Sequence, residues 1–458
     1  MRTDTIAAIA TAMTNSGIGI IRISGKDAIK TADSVIKLKE KNKKISDCET
    51  HTVHYGFVMD GDRKIDEVMV LIMRGPKSYT REDTIEIDCH GGSLIMQKIF
   101  ELVLANGTRP AEPGEFTKRA FLNGRIDLAQ AESVMDIISA KNDFALSSSM
   151  EQLSGRVSEK IRSLREQVLH EIAYIESALD DPEHYSLDSY GMELEEKILK
   201  ISGELEKLLQ NSKNGSILKE GIHTVIVGKP NSGKSSLLNA LVGKERAIVT
   251  DIAGTTRDVI EEQICLGGIS LNVIDTAGIR DTDDLVEKIG VDRAKEYLEK
   301  ADLAVYVVDT SVPLNEDDLQ IMEMLKDRKA IVLLNKSDLD AVVLEEDIRK
   351  YLSQTILSVS AKNHLGIDIL EKEITKLFFE GKVSMNDEVF ITNARHKVSL
   401  TEAKNSLELV LNSIRDGMPE DFYSIDLMNV YEELGSIIGE SVEDDLVDEI
   451  FSKFCMGK

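Results

Sequence analysis

Gly228-Lys229-Pro230-Asn231-Ser232-Gly233-Lys234-Ser235 has the spacing Gly-x4-Gly-Lys-Ser, a loop whose backbone N–H groups can surround phosphate oxygens. At average composition such a match arises by chance on the order of 0.02 times in a chain of this length. Gly254-Thr255-Thr256, Asp275-Thr276-Ala277-Gly278 and Asn335-Lys336-Ser337-Asp338 follow in order, and together the four runs imply one guanine-nucleotide site. Lys234 is expected on the β- and γ-phosphates and the Ser235 hydroxyl on Mg²⁺, with Ser236 completing the phosphate side. Thr256 (or Thr255) is the candidate second magnesium ligand. It would reach the γ-phosphate from the loop Thr250-Asp251-Ile252-Ala253-Gly254, which orders only with GTP. Asp275 is expected to hold magnesium through water, and the Gly278 N–H to sense the γ-phosphate.

Base choice follows from Asp338. A carboxylate there can accept from both the guanine ring N–H and its exocyclic amine, whereas adenine lacks that amine and presents an acceptor. Asn335 and Lys336 frame the base, and Ser360-Ala361-Lys362 resembles the short motif that contacts its carbonyl. The nucleotide is therefore GTP rather than ATP. The hydrolytic part is less ordinary. Ras-like switches place a glutamine two residues after Asp-x-x-Gly to orient the attacking water, and here the following residues are Ile279 and Arg280. Asn231, with the long Thr250–Thr256 loop, could seat a monovalent cation beside the β/γ bridge, where it would do the electrostatic work of an arginine finger.

Such a site needs a parallel sheet to hold it. The segments His223–Val227, Ile269–Ile274, Leu303–Val308, Ala330–Leu334 and Ile356–Val359 read as strands separated mostly by helices. That predicts a doubly wound sheet with ligand at the strand carboxyl ends. Val259–Leu266, two glycines and Ile269 read as a hairpin adding one antiparallel strand. Ahead of this region, Gly19–Ile23, Thr52–Met59, Glu67–Met73 and Thr84–Cys89 read as strands and Leu94 to Ala105 as a helix.

Helical periodicity takes over from about Leu128. Val157, Ile161, Leu164, Val168, Ile172, Ile175 and Leu179 step by 4, 3, 4, 4, 3 and 4, one apolar stripe that Asp181-Pro182 ends. Met192 to Leu209 resumes a helix before a loop at Asn211–Gly215. Beyond the nucleotide region, Leu400, Ala403, Leu407, Val410 and Ile414 form a second stripe, with further helices near Leu427–Leu434 and Val442–Phe454. The fold class is then a multidomain α/β and α chain. Its parts are an N-terminal α+β domain (1–119), a helical domain in two pieces (120–215 and 381–458) and an inserted Ras-like P-loop domain (216–380).

Composition bounds the partners. The net charge is −26, and Asp416 to Glu449 holds twelve carboxylates with no Lys or Arg. Unaided nucleic-acid binding wants a basic surface for counterion release, and an acidic chain gains little there; the acidic run reads as a solvated face or a docking surface for a basic partner. Cys48, Cys89, Cys265 and Cys455 lie far apart, which argues against a disulfide framework or zinc site and suits a reducing cytosol. His51, His54 and His90 have no metal-binding spacing, and the fifteen methionines are scattered as core fillers. No run approaches the ~18 apolar residues of a membrane span, so a cytoplasmic protein without membrane contact is expected.

Outside the nucleotide motifs, distinctive runs occur at both ends. They are Asp4-Thr5-Ile6, Gly19-Ile20-Ile21-Arg22-Ile23-Ser24-Gly25, Ser78-Tyr79-Thr80-Arg81-Glu82-Asp83, His90-Gly91-Gly92, the stretch from Glu112 through Gly124, Asp127-Leu128-Ala129-Gln130-Ala131-Glu132, and the closing Phe454-Cys455-Met456-Gly457-Lys458. With these, the chain resembles the MnmE (TrmE) family of tRNA-modification GTPases along its whole length.

The resemblance implies a homodimer joined through the N-terminal domains, with GTPase domains that meet across the nucleotide when K⁺ is bound. Asn231, Thr250, Ile252 and Thr255 match the potassium ligands, and Glu287 matches a glutamate that positions the hydrolytic water through a second water. Lys234, Thr256 and Glu287 are thus the catalytic candidates. The N-terminal domain is similar to folate-binding one-carbon domains. It is expected to bind a tetrahydrofolate derivative, 5,10-methylene-tetrahydrofolate, through Arg22, Glu82, Arg125 and Lys458. Arg125 stands where lysine is expected, and Met456 where a branched aliphatic residue is. Cys455 is either a reactive thiol or a buried structural one.

The implied function is installation of a carboxymethylaminomethyl or aminomethyl group at C5 of the wobble uridine (U34) of certain tRNAs. It is carried out with an FAD-dependent MnmG (GidA) partner that brings the flavin and most of the tRNA contact. Two other readings fit part of the chain. One is a regulatory switch in ribosome assembly or signalling, like the Era and Der GTPases, which lack this front domain; the other is a self-sufficient folate-dependent transferase.

Overall fold

Two kinds of sheet, dictated by two kinds of strand sequence, organise the chain. The computed structural model describes residues 4–181, 184, 187, 190–244, 262–266, 269–274, 298–379, 390–440, 442, 444–455 and 457. They fall into two compact units, Met1–Ile138 with Ser149–Ile201 and Glu402–Lys458, and Ser139–Ser148 with Ser202–Thr401.

In the first unit the strands alternate. They are β1 (Ile6–Ile9), β2 (Ser16–Ser24), β3 (Ile36–Leu38), β4 (Thr52–Asp60), β5 (Arg63–Met73), β6 (Thr84–Gly91) and β7 (Arg109–Pro110), in the order β3-β4-β5-β6-β2-β1-β7. Among the described residues every pairing in this sheet is antiparallel except β1 with β7. Ile85, Ile87 and Cys89 of β6 point into a core shared with Ile21 and Ile23 of β2 and Val68, Val70 and Ile72 of β5. The helix Ala28–Val35 covers that core with Ala28 and Ala32, and the helix Ser93–Ala105 with Met96, Ile99 and Val103. The four strands and one helix read from the pattern are present, each slightly longer. β1 carries little alternation of its own and is a strand because it pairs with β2, from Ile6↔Ser24 to Ile9↔Ile21.

The helix Arg156–Asp180 buries Val157, Ile161, Leu164, Val168, Ile172 and Ile175 as the stripe requires. Leu179 is 45% exposed and Ala178 takes the last buried place, in the final turn of the helix. This helix packs against Asp421–Ile438, where Arg165 lays its guanidinium 3.9 Å from the Tyr431 ring centroid and donates to the Tyr431 carbonyl at 3.1 Å.

The polar run at Asn211–Gly215 is not a loop. The helix Tyr190–Glu220 passes straight through it. The Ser212 hydroxyl folds back to donate to the Leu209 carbonyl at 2.6 Å, and a Cβ at Gly215 would stand 2.4 Å from the Ile391 carbonyl oxygen. Close packing, not a turn, accounts for that glycine, and tertiary contact overrides the weak local propensity.

In the second unit the strands are apolar on both faces. β8 (Ile222–Val227), β9 (Glu262–Leu266), β10 (Ile269–Val273), β11 (Leu303–Asp309), β12 (Ala330–Asn335) and β13 (Thr355–Ser358) lie in the order β13-β12-β11-β8-β10-β9. All pairs are parallel except β9 with β10. Val305, Val307, Ile331 and Leu333 pack on Leu237, Leu241, Leu370 and Ile374 on one face. Tyr306, Val308, Val332 and Leu334 pack on Met322, Leu325 and Ile348 on the other. This is the doubly wound arrangement, and it brings the carboxyl ends of β8, β11 and β12 side by side. Among the described residues no helix is long and apolar enough to cross a membrane.

One partly buried ionic network, centred on the buried Arg119 and Glu115, holds the first unit's N-terminus. Arg109 Nε meets Asp4 Oδ2 at 2.5 Å, Arg119 Nη2 meets Glu115 Oε1 at 3.0 Å, and Arg119 Nη1 meets Glu82 Oε2 at 3.0 Å. Burial alone would raise Glu115, but Arg109, the Glu112 N–H and Arg119 outweigh it and hold the carboxyl below its ordinary 4.5. A depressed carboxylate stabilises the fold above its unfolded value, and that gain is lost as pH falls through the lower folded value. Arg119→Met should therefore cost about 3 kcal/mol near neutral pH. Its deficit against wild type should shrink below pH 4.5, as thermal melts across the acid range would show.

Candidate functional site

The phosphate loop leaves the end of β8 and enters the helix Lys234–Lys244, a strand-to-helix turn whose helix N-terminus favours an anion. Three residues of the turn have left-handed φ: Gly228 at 156°, Asn231 at 60° and Gly233 at 100°. A Cβ on Gly233 would lie 2.1 Å from Asn335 Nδ2, and one on Gly228 would lie 2.4 Å from the Val307 carbonyl. The loop can therefore sit on the sheet only with glycine at both places. The Lys234 ammonium arches back over the turn to the Gly228 carbonyl at 2.8 Å and the Lys229 carbonyl at 2.9 Å. Burial pushes its pKa down, a cost that phosphate oxygens would offset. Ser235 and Ser236 lie in the first helical turn, Ser236 exposed, while Ser232 is fully buried beneath the loop.

The base side assembles on the next strands. Asn335, at the end of β12 and only 2% exposed, donates through Nδ2 to the Ser232 carbonyl at 2.8 Å. Its Oδ1 accepts the Ala361 N–H at 3.1 Å. One amide thus joins the phosphate loop to the Ser360-Ala361-Lys362 loop. Lys336, with φ 64°, places its ammonium 2.5 Å from Asp309 Oδ2, and the Ser337 N–H donates to the Val359 carbonyl at 3.1 Å. Asp338 is exposed. The buried Ser360 hydroxyl donates to its Oδ1 at 2.6 Å and, with the nearby Lys362 and Lys336, holds its pKa below the usual carboxylate range. That leaves an ionised carboxylate at the surface of the base loop, aimed by Ser360, as two-point recognition of guanine requires.

The rest of the expected nucleotide set, Thr250, Asp251, Ile252, Ala253, Gly254, Thr255, Thr256, Asp275, Thr276, Ala277, Gly278 and Glu287, lies outside the described residues.

In the first unit two of the four folate candidates, Arg22 and Arg125, converge on one tyrosine. Arg22 Cζ lies 5.8 Å from the Tyr79 ring centroid and 5.5 Å from that of Phe116, while Arg125 Cζ lies 4.5 Å from the Tyr79 centroid. Arg22 also donates to Glu86 at 2.7 Å and to the Gly457 carbonyl at 3.0 Å. Glu82, the third, accepts from the Ser24 hydroxyl at 2.8 Å and from Arg119. The C-terminal tail reaches this place because Phe451 and Phe454 bury against Ala120, Ile126 and Leu128. Gly457, at φ 85°, then passes so close that a Cβ would lie 2.8 Å from Ala10 Cα. Lys458 lies outside the described residues.

Cys455 is exposed, which overturns the buried-thiol reading. His51 bonds the Lys77 carbonyl and His90 pairs with Asp66, and among the described residues no His, Cys, Asp and Glu group is placed to hold a metal ion. Sequence reasoning gave no role to Tyr79, Phe116, Arg119 or Glu86. Tyr79, Phe116 and Arg119 fall inside runs singled out above, yet only the fold reveals which of their neighbours they touch.

The doubly wound sheet, the glycine-shaped phosphate loop and the Asn335–Asp338 base loop on adjacent strand ends define a P-loop GTPase domain. The comparisons are more particular. Residues 5–125 match the family profile of the GTP-binding protein TrmE N-terminus, and residues 128–455 that of the MnmE helical domain. A tRNA modification GTPase MnmE of Lachnoclostridium phytofermentans is 58% identical over 458 residues, covering 100% of both chains. Those of Clostridioides difficile and Geobacillus kaustophilus are 49% and 47% identical, each over 99% of both chains. The chain belongs to the MnmE family of tRNA modification GTPases.

The amide bridge is testable. Asn335→Ala leaves the Ser232 carbonyl and the Ala361 N–H without their partner, so affinity for GDP and GTP should fall by about ten- to a hundredfold. Titration with fluorescent guanine nucleotides would measure it, and unchanged binding would show the bridge to be dispensable.

Proposed function

We propose that this protein binds and hydrolyses GTP to drive tRNA modification. It would act with an FAD-dependent MnmG-type partner to place a carboxymethylaminomethyl or aminomethyl group on C5 of the wobble uridine. The observation that carries the reading is the presence, in one chain, of a guanine-nucleotide frame bridged by Asn335 and a separate Arg22–Tyr79–Arg125 cluster closed by the C-terminal tail. A plain GTP switch has use for the first and none for the second.

In the nucleotide site Lys234 would meet the β- and γ-phosphates, and Asp338 the guanine edge. The hydroxyls of Ser235 and Thr256 fit a hard cation, and Mg²⁺ there would neutralise charge across the β- and γ-phosphates. Asn231, exposed at the strained crest of the phosphate loop, would join Thr250, Ile252 and Thr255 around K⁺. Glu287 would orient the hydrolytic water. In the first unit, two guanidinium groups against one aromatic ring suit a ligand with a flat ring system and carboxylates, as a tetrahydrofolate derivative has. Arg22, Arg125, Glu82 and Lys458 would hold it, and when bound it would supply the one-carbon unit. A homodimer in the cytoplasm, with tRNA held mainly by the partner, agrees with a net charge of −26.

Two experiments test this. Nucleosides from bulk tRNA of cells lacking the chain should have lost the C5-aminomethyl-type uridines, as mass spectrometry would show. Wild type should restore them and Asp275→Ala should not; persistence in the deletion strain would return the protein to the class of plain GTP switches. Separately, GTP hydrolysis should be markedly faster in K⁺ than in Na⁺, and Asn231→Ala should erase the difference. Equal wild-type rates in both salts would remove the cation from the mechanism.

A further inference from the structure

Lys229 occupies a variable position of the phosphate loop, where nothing in the motif prescribes a charge. Its ammonium donates to Asp318 Oδ2 at 2.9 Å and to the Pro313 carbonyl at 3.1 Å. Asp318 is 0% exposed, so this carboxylate is tolerated only because it is fully partnered. Tyr306 of β11 donates its hydroxyl to Oδ1 at 2.8 Å, and the Asn315 N–H donates to Oδ2 at 3.1 Å, closing a capping box at the start of the helix Glu316–Leu325. The peptide of Lys229 is occupied too. Its carbonyl accepts the Ser232 N–H at 3.2 Å and the Lys234 ammonium at 2.9 Å. Lys229 therefore holds the turn from two sides. Its backbone fixes the inside of the loop, and its side chain fixes the loop to the sheet and to the next helix.

The same strand-to-helix segment also holds the base loop, since Asp309 at its start takes the Lys336 ammonium at 2.5 Å. Two ammonium–carboxylate pairs thus fasten the phosphate loop and the base loop to one stretch of chain between Asp309 and Asp318. We propose that the Lys229–Asp318 pair is a positioning element of the nucleotide site, keeping the phosphate loop in register with the base loop. Lys229 touches no reacting atom in this account and acts through the backbone it pins. The proposal rests on the reading of residues 228–235 as the phosphate site.

A structural role alone would make affinity follow stability, and the two can be separated. The full chain is compared as wild type, Lys229→Met, Asp318→Asn and the double variant, by titration with fluorescent GDP and by melting without nucleotide. Lys229→Met leaves a buried carboxylate unpaired, so it should both lower the melting temperature and weaken GDP binding by at least about tenfold. The double variant removes both charges. It should recover the melting temperature relative to Lys229→Met while GDP affinity stays about tenfold down, because the tether is still missing. Affinity that recovers together with melting temperature would reduce the pair to a packing element and overturn the proposal. So would wild-type-like GDP binding by Lys229→Met. Wild-type protein that fails to bind GDP would instead sink the phosphate-site reading on which the proposal stands.

Discussion

Everything in the nucleotide domain converges on the side-chain amide of Asn335. It is buried at the end of β12, with one end donating to the Ser232 carbonyl and the other accepting from the Ala361 N–H. A buried amide is stable only when its donor and acceptor are both used, and here each is used on a different loop. The constraint propagates outward. Because the amide must reach Ser232, the next residue must be glycine, since a Cβ on Gly233 would collide with Nδ2 at 2.1 Å. Because it must reach Ala361, the loop after β13 folds back on itself, with the Ser360 N–H and the Leu365 N–H crossing between their two residues. The parallel sheet supplies the fixed spacing of strand ends that makes these short bonds possible. In this way the geometry of phosphate and base recognition is inherited from strand order.

The first unit solves a different problem with a different interaction. Its cluster is held by guanidinium groups against aromatic rings and by ion pairs, because most of the segments that meet there lie outside the sheet ladder, the register partners Arg22 and Glu86 excepted. Arg22 comes from β2, Tyr79 and Glu82 from the connection between β5 and β6, Phe116 and Arg119 from the helix Glu115–Leu122, and Gly457 from the far end of the chain. Charged groups are placed this way at least cost when paired, and two of the guanidinium groups are. Arg22 rests on Glu86, and Arg119 spans Glu82, Glu115 and Asp4. The network closes on itself, so removing one guanidinium exposes several carboxylates to an unfavourable environment at once.

What could be read from the sequence divides along the same physical line. The phosphate loop, the base loop, the strands of the second sheet, β2, β4, β5 and β6 of the first and the long helix Arg156–Asp180 were legible because each is written in neighbouring residues. Their signals are a fixed spacing, an alternation or a stripe. The contacts that position the site were not legible, because they join residues far apart. Lys229 and Asp318 are 89 residues distant, and Arg22 and Gly457 are 435. Local chemistry misled where tertiary packing won. Asn211–Gly215 has loop composition, yet it runs as helix because Gly215 is needed for close approach to Ile391. Cys455 looked equally suited to burial, but the two phenylalanines before it take the apolar site and leave the thiol outside.

The acidic C-terminal stretch shows why net charge alone is a blunt guide. Read as composition, twelve carboxylates without a single basic residue from Asp416 to Glu449 describe a solvated face or a docking surface. In the fold some of them are structural. Glu440 meets Arg165, a guanidinium almost wholly buried between two helices, and Asp448 meets Lys118 on the helix that carries Phe116 and Arg119. The latter pair lies beside the burial of Phe451 and Phe454, so it helps fix the last helix, and through it the tail, against the N-terminal sheet. An acidic tail segment is what this architecture needs if its docking partners within the same unit are arginines and lysines. Two of the twelve carboxylates thus serve contacts inside the unit, and one of them, Asp448, steadies the helix that leads into the tail.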